Sequence, residues 1–425
     1  MKLEQIVASL EESQWWTQEQ IEARQQSALA RLVAHHSEHN ESFKQRLAAQ
    51  GLVAEDVSTL AGLAKLNPIT KRDIQQAGPA FNSSAVPPSH LPLRKSQTSG
   101  RTGEPVTVFK TEMNHQFFCA LMFREHSWWG HDYKHKLASI RAVHRQYEES
   151  PTWGGPIAEK FESGPAIGIP LNLDVRQQLD YLNKFDPDML NIHAGVLAAM
   201  CSIWESEGYT LNLKHIKNVG ETLHPSLRER VKKITGVDIR DVYSSSEVGC
   251  ITIECPDTGL QHIMAETLLV EVLNEQGQQC QPGELGRVVV TDFYNTISPM
   301  IRYDIGDYAE VGPSCTCGRN HPTLKRIVGR ERGLFRRTNG DRYWPTAGQY
   351  AAERVVKVNQ WQIIQHSLDD IEYKLVTDHP LTEEQHSKLL EIFRKTLGFN
   401  CVRISEYRTQ LPTDGKYEET ICLIE

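Results

Sequence analysis

Over the first fifty residues, apolar positions are set between Gln- and Glu-rich stretches in a pattern that predicts long, polar-faced helices. Residues 60–73 (LAGLAKLNPITKRD) then turn through Asn67-Pro68 toward another helix start. From about residue 93 to residue 330, short apolar runs alternate with helical segments, and the runs at 105–109, 268–273 and 287–291 predict strands. One helix is bounded with particular clarity. Pro225 stands at the expected first turn, Leu227, Val231 and Ile234 share a face, and Gly236 sits at the expected stop. Strand-then-helix alternation of this kind predicts an α/β domain, with β-sheets flanked by helices.

After Gly329 the texture changes. Residues 371–377 alternate like a half-buried strand, and Thr382 opens a helix with Gln385 in capping-box register. Leu389, Leu390, Phe393 and Leu397 share the face predicted to be buried, Gly398 ends the helix, and residues 401–407 read as strand again. The expected organisation is a large N-terminal α/β domain over 1–329 and a small α+β domain over 330–425. A chain of 425 residues is more than one compact core usually organises.

Composition then narrows the partner. Hydrophobic residues at 39% and charged residues at 24% are ordinary for a globular protein, which sets disorder aside. Lys and Arg number 46 against 54 Asp and Glu, a net charge of −8, the wrong sign for a nucleic-acid or anionic-membrane partner. A small molecule is the better expectation. The N-terminus breaks its apolar residues with Glu and Gln, as a signal peptide does not, and the longest apolar stretch, 196–204, is about half of the ~18 residues a membrane span needs. The expected location is the cytoplasm. Nine cysteines in such a chain argue for free thiols or metal ligands over a disulfide framework.

The sharpest local feature is Ser96-Gln97-Thr98-Ser99-Gly100-Arg101-Thr102-Gly103-Glu104-Pro105. Small residues let backbone N–H groups approach an anion and the hydroxyls add donors, so the stretch suits phosphates, although such a cluster alone is more often a plain surface loop. A second cluster, Tyr243-Ser244-Ser245-Ser246-Glu247, follows the strand-like 237–242 and so falls at the end of a strand, where α/β proteins bind ligands. Tyr offers a stacking face, the serines offer hydrogen bonds, and Glu offers a hard oxygen for Mg²⁺. A third, Ile301-Arg302-Tyr303-Asp304-Ile305-Gly306-Asp307, ends in an acid suited to a ribose, and a fourth is Val328-Gly329-Arg330-Glu331-Arg332.

In order and rough spacing these motifs, with Gly415-Lys416 close to the end, resemble the core motifs of the adenylate-forming ANL superfamily. Within it they are similar to the phenylacetate-CoA ligase branch, capsule-biosynthesis relatives included. Residues 66–73 (LNPITKRD), 216–223 (IKNVGETL, with Gly220 and Glu221) and 299–307 (PMIRYDIGD) carry the narrower likeness. The resemblance implies that Thr98 to Gly103 wrap the ATP phosphates, that Tyr243 stacks on adenine among Ser244, Ser245 and Ser246, and that Ser246 contacts phosphate. It further implies Mg²⁺ on Glu247, ribose on Asp307 helped by Arg330, a catalytic Lys416 and a hinge at Arg332. The implied activity is conversion of a carboxylic acid to acyl-AMP and transfer to CoA. The alternatives are an adenylating enzyme serving an amine, a hydroxyl or a carrier protein, and, more remotely, an inactive nucleotide-binding relative. A homodimer is left open, and the chain's end nine residues past Lys416 implies no fused carrier domain. Three positions depart from the family: Glu104 replaces a common Lys, Ser244 a usual Gly, and Arg332 a common Asp or Lys.

Two further expectations concern Cys, His and Trp. Cys315 and Cys317 flank one residue, while Cys255 and His262 lie seven positions apart, and three sulfurs with one imidazole make a tetrahedral structural zinc set. Buried free thiols are the ordinary alternative, similar positions occur in the resembling branch, and His321 is a reserve ligand. Trp128, Trp129, Trp153 and His193 lie where the superfamily places its acid substrate, and would suit an aryl acid, although a Trp-Trp pair is more often plain packing.

Overall fold

The computed structural model describes residues 2–97, 106–208, 211–330, 333–338, 342–343, 345, 348, 351–352, 354–408, 411 and 418–424. The chain divides into two compact units. The first holds the residues up to Asp132 together with Val242–Val328, and the second holds Tyr133–Asp241 together with Gly329–Glu425. The architecture is mixed α/β, as the alternating pattern implies. Among the described residues no helix is long and apolar enough to cross a membrane.

The first unit opens on the helices Leu3–Ser13, Gln18–His39 and Glu41–Ala49. Thr17 and Gln20 form a reciprocal capping box, and the Asn40 side chain accepts the Phe43 N–H at 2.7 Å, so the second and third helices each start on a side chain that satisfies a free amide. Their apolar stripe, with Leu29, Leu32, Val33, Phe43 and Leu47, packs on Leu63, Leu66, Phe293 and Ile301. The strands Leu268–Leu273, Leu285–Asp292 and Tyr303–Val311 form an antiparallel ladder, and Gln261–Ile263 pairs antiparallel with Gly249–Glu254. Leu268–Leu273 coincides with its predicted run. The strand Ile239–Ser245 extends past the predicted 237–242 because Tyr243, Ser244 and Ser245 continue its ladder with Gly249–Glu254.

Two motifs that lie far apart in sequence are joined here. The Ile69 N–H donates to the Arg302 carbonyl at 2.9 Å, and the Asp304 N–H returns to the Ile69 carbonyl at 2.8 Å. Arg302 takes a left-handed backbone (φ 51°), unusual for a residue with a side chain. Its guanidinium bonds Glu271 at 2.9 and 3.0 Å and the carbonyls of Ala64 and Leu66 at 2.9 and 2.7 Å, which fixes that turn. The Arg in the Arg-Tyr-x-x-Gly-Asp run is thus structural.

In the second unit the strands His215–Val219, Met189–Ile192, Leu137–Arg141 and Ala166–Pro170 pair in parallel in that order, with Glu148–Ser150 antiparallel on the last. The helices Val175–Phe185, Ala194–Glu207 and Pro225–Thr235 supply Leu179, Leu182, Leu197, Trp204 and Val231 to their core. Gly236 closes the last helix at φ 75°, the conformation its sequence position predicts. The C-terminal residues build a four-stranded sheet in the order Cys401–Tyr407, Asp370–Val376, Gln360–Gln365, Thr420–Cys422. The helix Glu383–Leu397 runs from the Thr382/Gln385 capping box to Gly398 and buries Leu389, Phe393 and Leu397, with Leu390 half-buried.

Candidate nucleotide site and Cys/His centre

A bulge between Tyr243 and Ser244 shifts the register of the paired strands where the Tyr-Ser-Ser-Ser-Glu cluster begins. Bulges re-aim side chains, and here the Tyr243 hydroxyl donates to Asp307 Oδ2 at 2.7 Å. Glu247 is 8% exposed and accepts the Tyr303 hydroxyl on Oε1 at 3.1 Å. The second and third clusters, about sixty residues apart in sequence, are therefore one constellation. Ser245 Oγ accepts the Val248 N–H at 3.2 Å and holds the turn that presents Glu247. Ser244 is exposed at the strand end.

The hairpin Arg94–Gln97 and Thr107–Lys110 brings Gln97 opposite Thr107, and the Ser96 hydroxyl donates to the Ser246 carbonyl at 2.7 Å. The ends of the Ser/Thr/Gly stretch are thereby tied to the Tyr-Ser-Ser-Ser-Glu turn. Thr98, Ser99, Gly100, Arg101, Thr102, Gly103 and Glu104 themselves lie outside the described residues, as do Arg332 and Lys416. Arg330 is the last residue of the strand Thr323–Arg330.

In the second unit Gly220 takes φ 68° directly after the strand His215–Val219, and Glu221 turns its carboxylate to the N-terminus of the helix Ala194–Glu207. Glu221 Oε2 accepts the Gly195 N–H at 2.8 Å, and Oε1 lies 3.9 Å from His193 Nδ1. A carboxylate there satisfies an amide with no partner inside the helix and complements the helix dipole. The fully buried Asn218 donates to Asp241 at 2.8 Å and to the Glu221 carbonyl at 2.6 Å. Asn218 and Tyr303 are the residues a reading of the motifs passes over. Both sit inside quoted runs, and their partners lie in other elements.

Trp128 and Trp129 are placed as packing residues. Both are buried in an apolar cluster with Ile6, Leu10, Phe117 and Met264, where Trp128 stands edge-on to His262 at 5.5 Å and Trp129 Nε1 donates to the Glu254 carbonyl at 2.9 Å. Trp153 donates to the His135 carbonyl at 2.8 Å. This is the packing alternative for the aromatic residues. Nothing local in a Trp-Trp pair distinguishes a pocket wall from a core.

The four Cys/His candidates do converge. The ligand atoms of Cys255, His262, Cys315 and Cys317 all lie within 4.8 Å of one another. Cys315 Sγ is 3.7 Å from Cys255 Sγ, and Cys317 Sγ is 3.3 Å from His262 Nε2. A tetrahedral zinc with bonds of about 2.3 Å to sulfur and about 2.0–2.1 Å to nitrogen sets its ligands roughly 3.5–3.8 Å apart, so these two pairs fit to within a few tenths of an ångström and the four residues are of the right chemistry and number. Burial lowers the pKa of His262 to about 4 and keeps it neutral, as a ligand must be. Burial opposes ionisation of Cys317, yet the Arg319 backbone and the neighbouring thiol of Cys315 lower its pKa. His321 turns instead to Glu266, 3.2 Å away, which also holds Arg124 at 2.7 and 3.2 Å. Arg124 further bonds the Leu10 carbonyl and lies 3.4 Å from Ser13 Oγ.

No family model matches the chain. A phenylacetate-coenzyme A ligase of Thermus thermophilus is 24% identical over 393 residues, 88% of this chain and 85% of that one. The protein CapK of Staphylococcus aureus is 24% identical over 255 residues, covering 56% and 53%. The fold matches that of a 2-hydroxyisobutyryl-CoA ligase, solved in the postadenylation state with an acyl-AMP, at a TM-score of 0.77 and 15% identity over 97% of this chain and 91% of that one. The chain is a member of the ANL superfamily of adenylate-forming enzymes. Within it, its sequence is similar to the phenylacetate-coenzyme A ligases and to CapK.

Proposed function

We propose that this chain is an AMP-forming acid-thiol ligase acting on a carboxylic acid of the aryl class. In the first step a carboxylate oxygen bonds to the α-phosphorus of ATP while the bond to the bridging oxygen breaks, and pyrophosphate leaves with the electron pair. In the second the thiolate of CoA takes the acyl group and AMP leaves. The observation that carries the reading is the pair of bonds Tyr243–Asp307 and Tyr303–Glu247, which join two motifs into one site beside the ends of the Ser/Thr/Gly stretch.

In this reading Tyr243 presents its ring to adenine with its hydroxyl anchored on Asp307, whose other oxygen faces the ribose. The stretch Thr98 to Gly103 and Ser246 hold phosphate, Gly220 and Glu221 are further nucleotide-binding positions, and Arg330 assists the ribose. Glu247 would hold Mg²⁺, which when bound neutralises charge on the phosphates. Joining two anions builds charge in the transition state, and Lys416, on a small domain from residue 330 hinged at Arg332, supplies a compensating ammonium. His193 remains the candidate for the acid pocket. Nine cysteines outside any disulfide suit the reducing cytoplasm.

ATP-pyrophosphate exchange against a panel of aryl, fatty and amino acids tests the reading. The expected result is exchange with an aryl acid and, on adding CoA, an acyl-CoA product. Exchange without thioester would favour an amine, hydroxyl or carrier-protein acceptor, and absence of ATP binding would overturn the whole assignment.

We further infer that Cys255, His262, Cys315 and Cys317 hold a structural zinc. All four positions would be protein ligands, so the ion would pin two segments together and leave no site for water. Elemental analysis should find about one zinc per chain, and Cys315→Ser should lower metal content and melting temperature together. Metal-free protein with unchanged melting would leave these residues as buried thiols.

A further inference from the structure

Among the described residues, Lys110 is a half-buried cation beside the Glu247 turn whose charge the first unit does not use. It closes the strand Thr107–Lys110 opposite Arg94. Its Nζ lies 3.9 Å from the point that a Cβ on Gly249 would occupy, and Gly249, at φ 84°, follows Glu247 by two residues. The ammonium therefore lies over the turn whose Ser246 carbonyl anchors Ser96 and whose Glu247 accepts from Tyr303.

Among the described residues the Lys110 ammonium makes no hydrogen bond or ion pair. The buried guanidinium groups of the same unit differ: Arg124 reaches Glu266 at 2.7 Å and Arg302 reaches Glu271 at 2.9 Å. Glu247 and the buried Asp292 act on Lys110 only at longer range, while Asp292 is held on both oxygens by Asn114 at 2.9 and 3.0 Å. A desolvated cation held near carboxylates but in contact with none keeps its charge while its hydrogen-bonding capacity stays open to an arriving anion. Burial lowers its pKa, and a bound anion would oppose that shift.

We propose that Lys110 is a further binding residue of the nucleotide site, whose ammonium takes the β- and γ-phosphates of ATP and then the departing pyrophosphate. The inference rests on the nucleotide reading given above and adds to it a cation that none of the family motifs contains. The chemistry it recognises is a diphosphate or longer chain, since a monophosphate lacks the terminal charge.

Calorimetric titration of the full chain with AMP, Mg-ATP and Mg-pyrophosphate separates the possibilities. Lys110→Met should weaken ATP and pyrophosphate about tenfold or more and leave AMP within about twofold, while Lys110→Arg retains most of the affinity. Equal loss of AMP and ATP, or no loss of either, overturns the proposal and leaves the nucleotide reading standing. Wild-type protein that binds no nucleotide overturns both. Should Lys110→Met fail to fold, wild-type protein answers the question by amine acetylation read by mass spectrometry. Pyrophosphate should protect Lys110 and AMP should not, and equal labelling with and without pyrophosphate sinks the idea.

Discussion

The first unit contains two polar clusters built from similar residue types, and they differ in how completely their charges are used. Around Arg124 the charges are paired at close range: Glu266 takes both amino groups of the guanidinium, the Leu10 carbonyl takes one of them as well, and His321 lies 3.2 Å from Glu266. Glu266 is held well below the usual carboxylate range; burial pushes it up, but Arg124 and His321 outweigh that cost. Around Glu247 the pattern is open. Among the described residues Lys110 touches no carboxylate, and Asp292, held by Asn114 and backbone N–H groups, is pushed up to about 6 by burial. Opposite shifts in two buried acids show that burial alone does not set ionisation; the nearest counter-charge does. A closed cluster stabilises a fold, whereas an open one holds charge for something that arrives.

The largest effect should come from breaking the closed cluster. Arg124→Met leaves Glu266 buried with only the Ser13 hydroxyl and His321 beside it and unties the carbonyl at the end of the helix Leu3–Ser13. Removing one partner of a buried pair costs about 3–5 kcal/mol. Chemical denaturation should show a loss of that size, and a loss below about 1 kcal/mol, the worth of a surface pair, would mean the cluster is not closed in solution.

The converse holds for the open cluster. Glu247→Gln keeps the volume and the Tyr303 hydrogen bond but removes the anionic oxygen, so melting should hardly change. Acid-dependent ATP-pyrophosphate exchange should fall about 10²- to 10³-fold, the scale on which single electrostatic groups act in active sites. Wild-type exchange with a lowered melting temperature would place Glu247 among the structural residues and erase the contrast.

Much of this was legible in the sequence wherever the signal is local. The Thr382/Gln385 box, the Gly398 and Gly236 stops and the run 268–273 need only neighbours in sequence, and each sits where the pattern puts it. The Cys/His set was legible for another reason, since few other roles collect that donor chemistry. What the pattern could not reach depends on distant partners. Arg302 reads as part of a ribose motif until Glu271 and the 64–66 carbonyls are seen around it. The Trp128–Trp129 pair reads as pocket wall or as packing, and only distant residues such as Ile6, Leu10 and Met264 show the apolar cluster it belongs to. Lys110 carries no local mark at all, because an unused charge is defined by what does not surround it.

The smallest effect concerns the pH response of Asp292, and it bears directly on the open cluster. Its folded pKa of about 6 lies above the ordinary 3.8, so between those values the folded chain holds a proton that the unfolded chain has released. The stability this group confers is therefore fully present below about 3.8 and is lost as pH rises through about 6. Asp292→Asn removes that titration while keeping a polar group against Asn114. Measured by urea denaturation, the stability of the Asn variant relative to wild type should thus improve by about 2 kcal/mol from pH 4.5 to pH 7, since each pKa unit is worth about 1.4 kcal/mol. Comparing the two chains at each pH cancels the titration of groups they share. A relative stability that stays flat would mean that Asp292 is ionised on folding with a close cation beside it. Lys110 would then be spent on Asp292, and the cluster would be as closed as the one around Arg124.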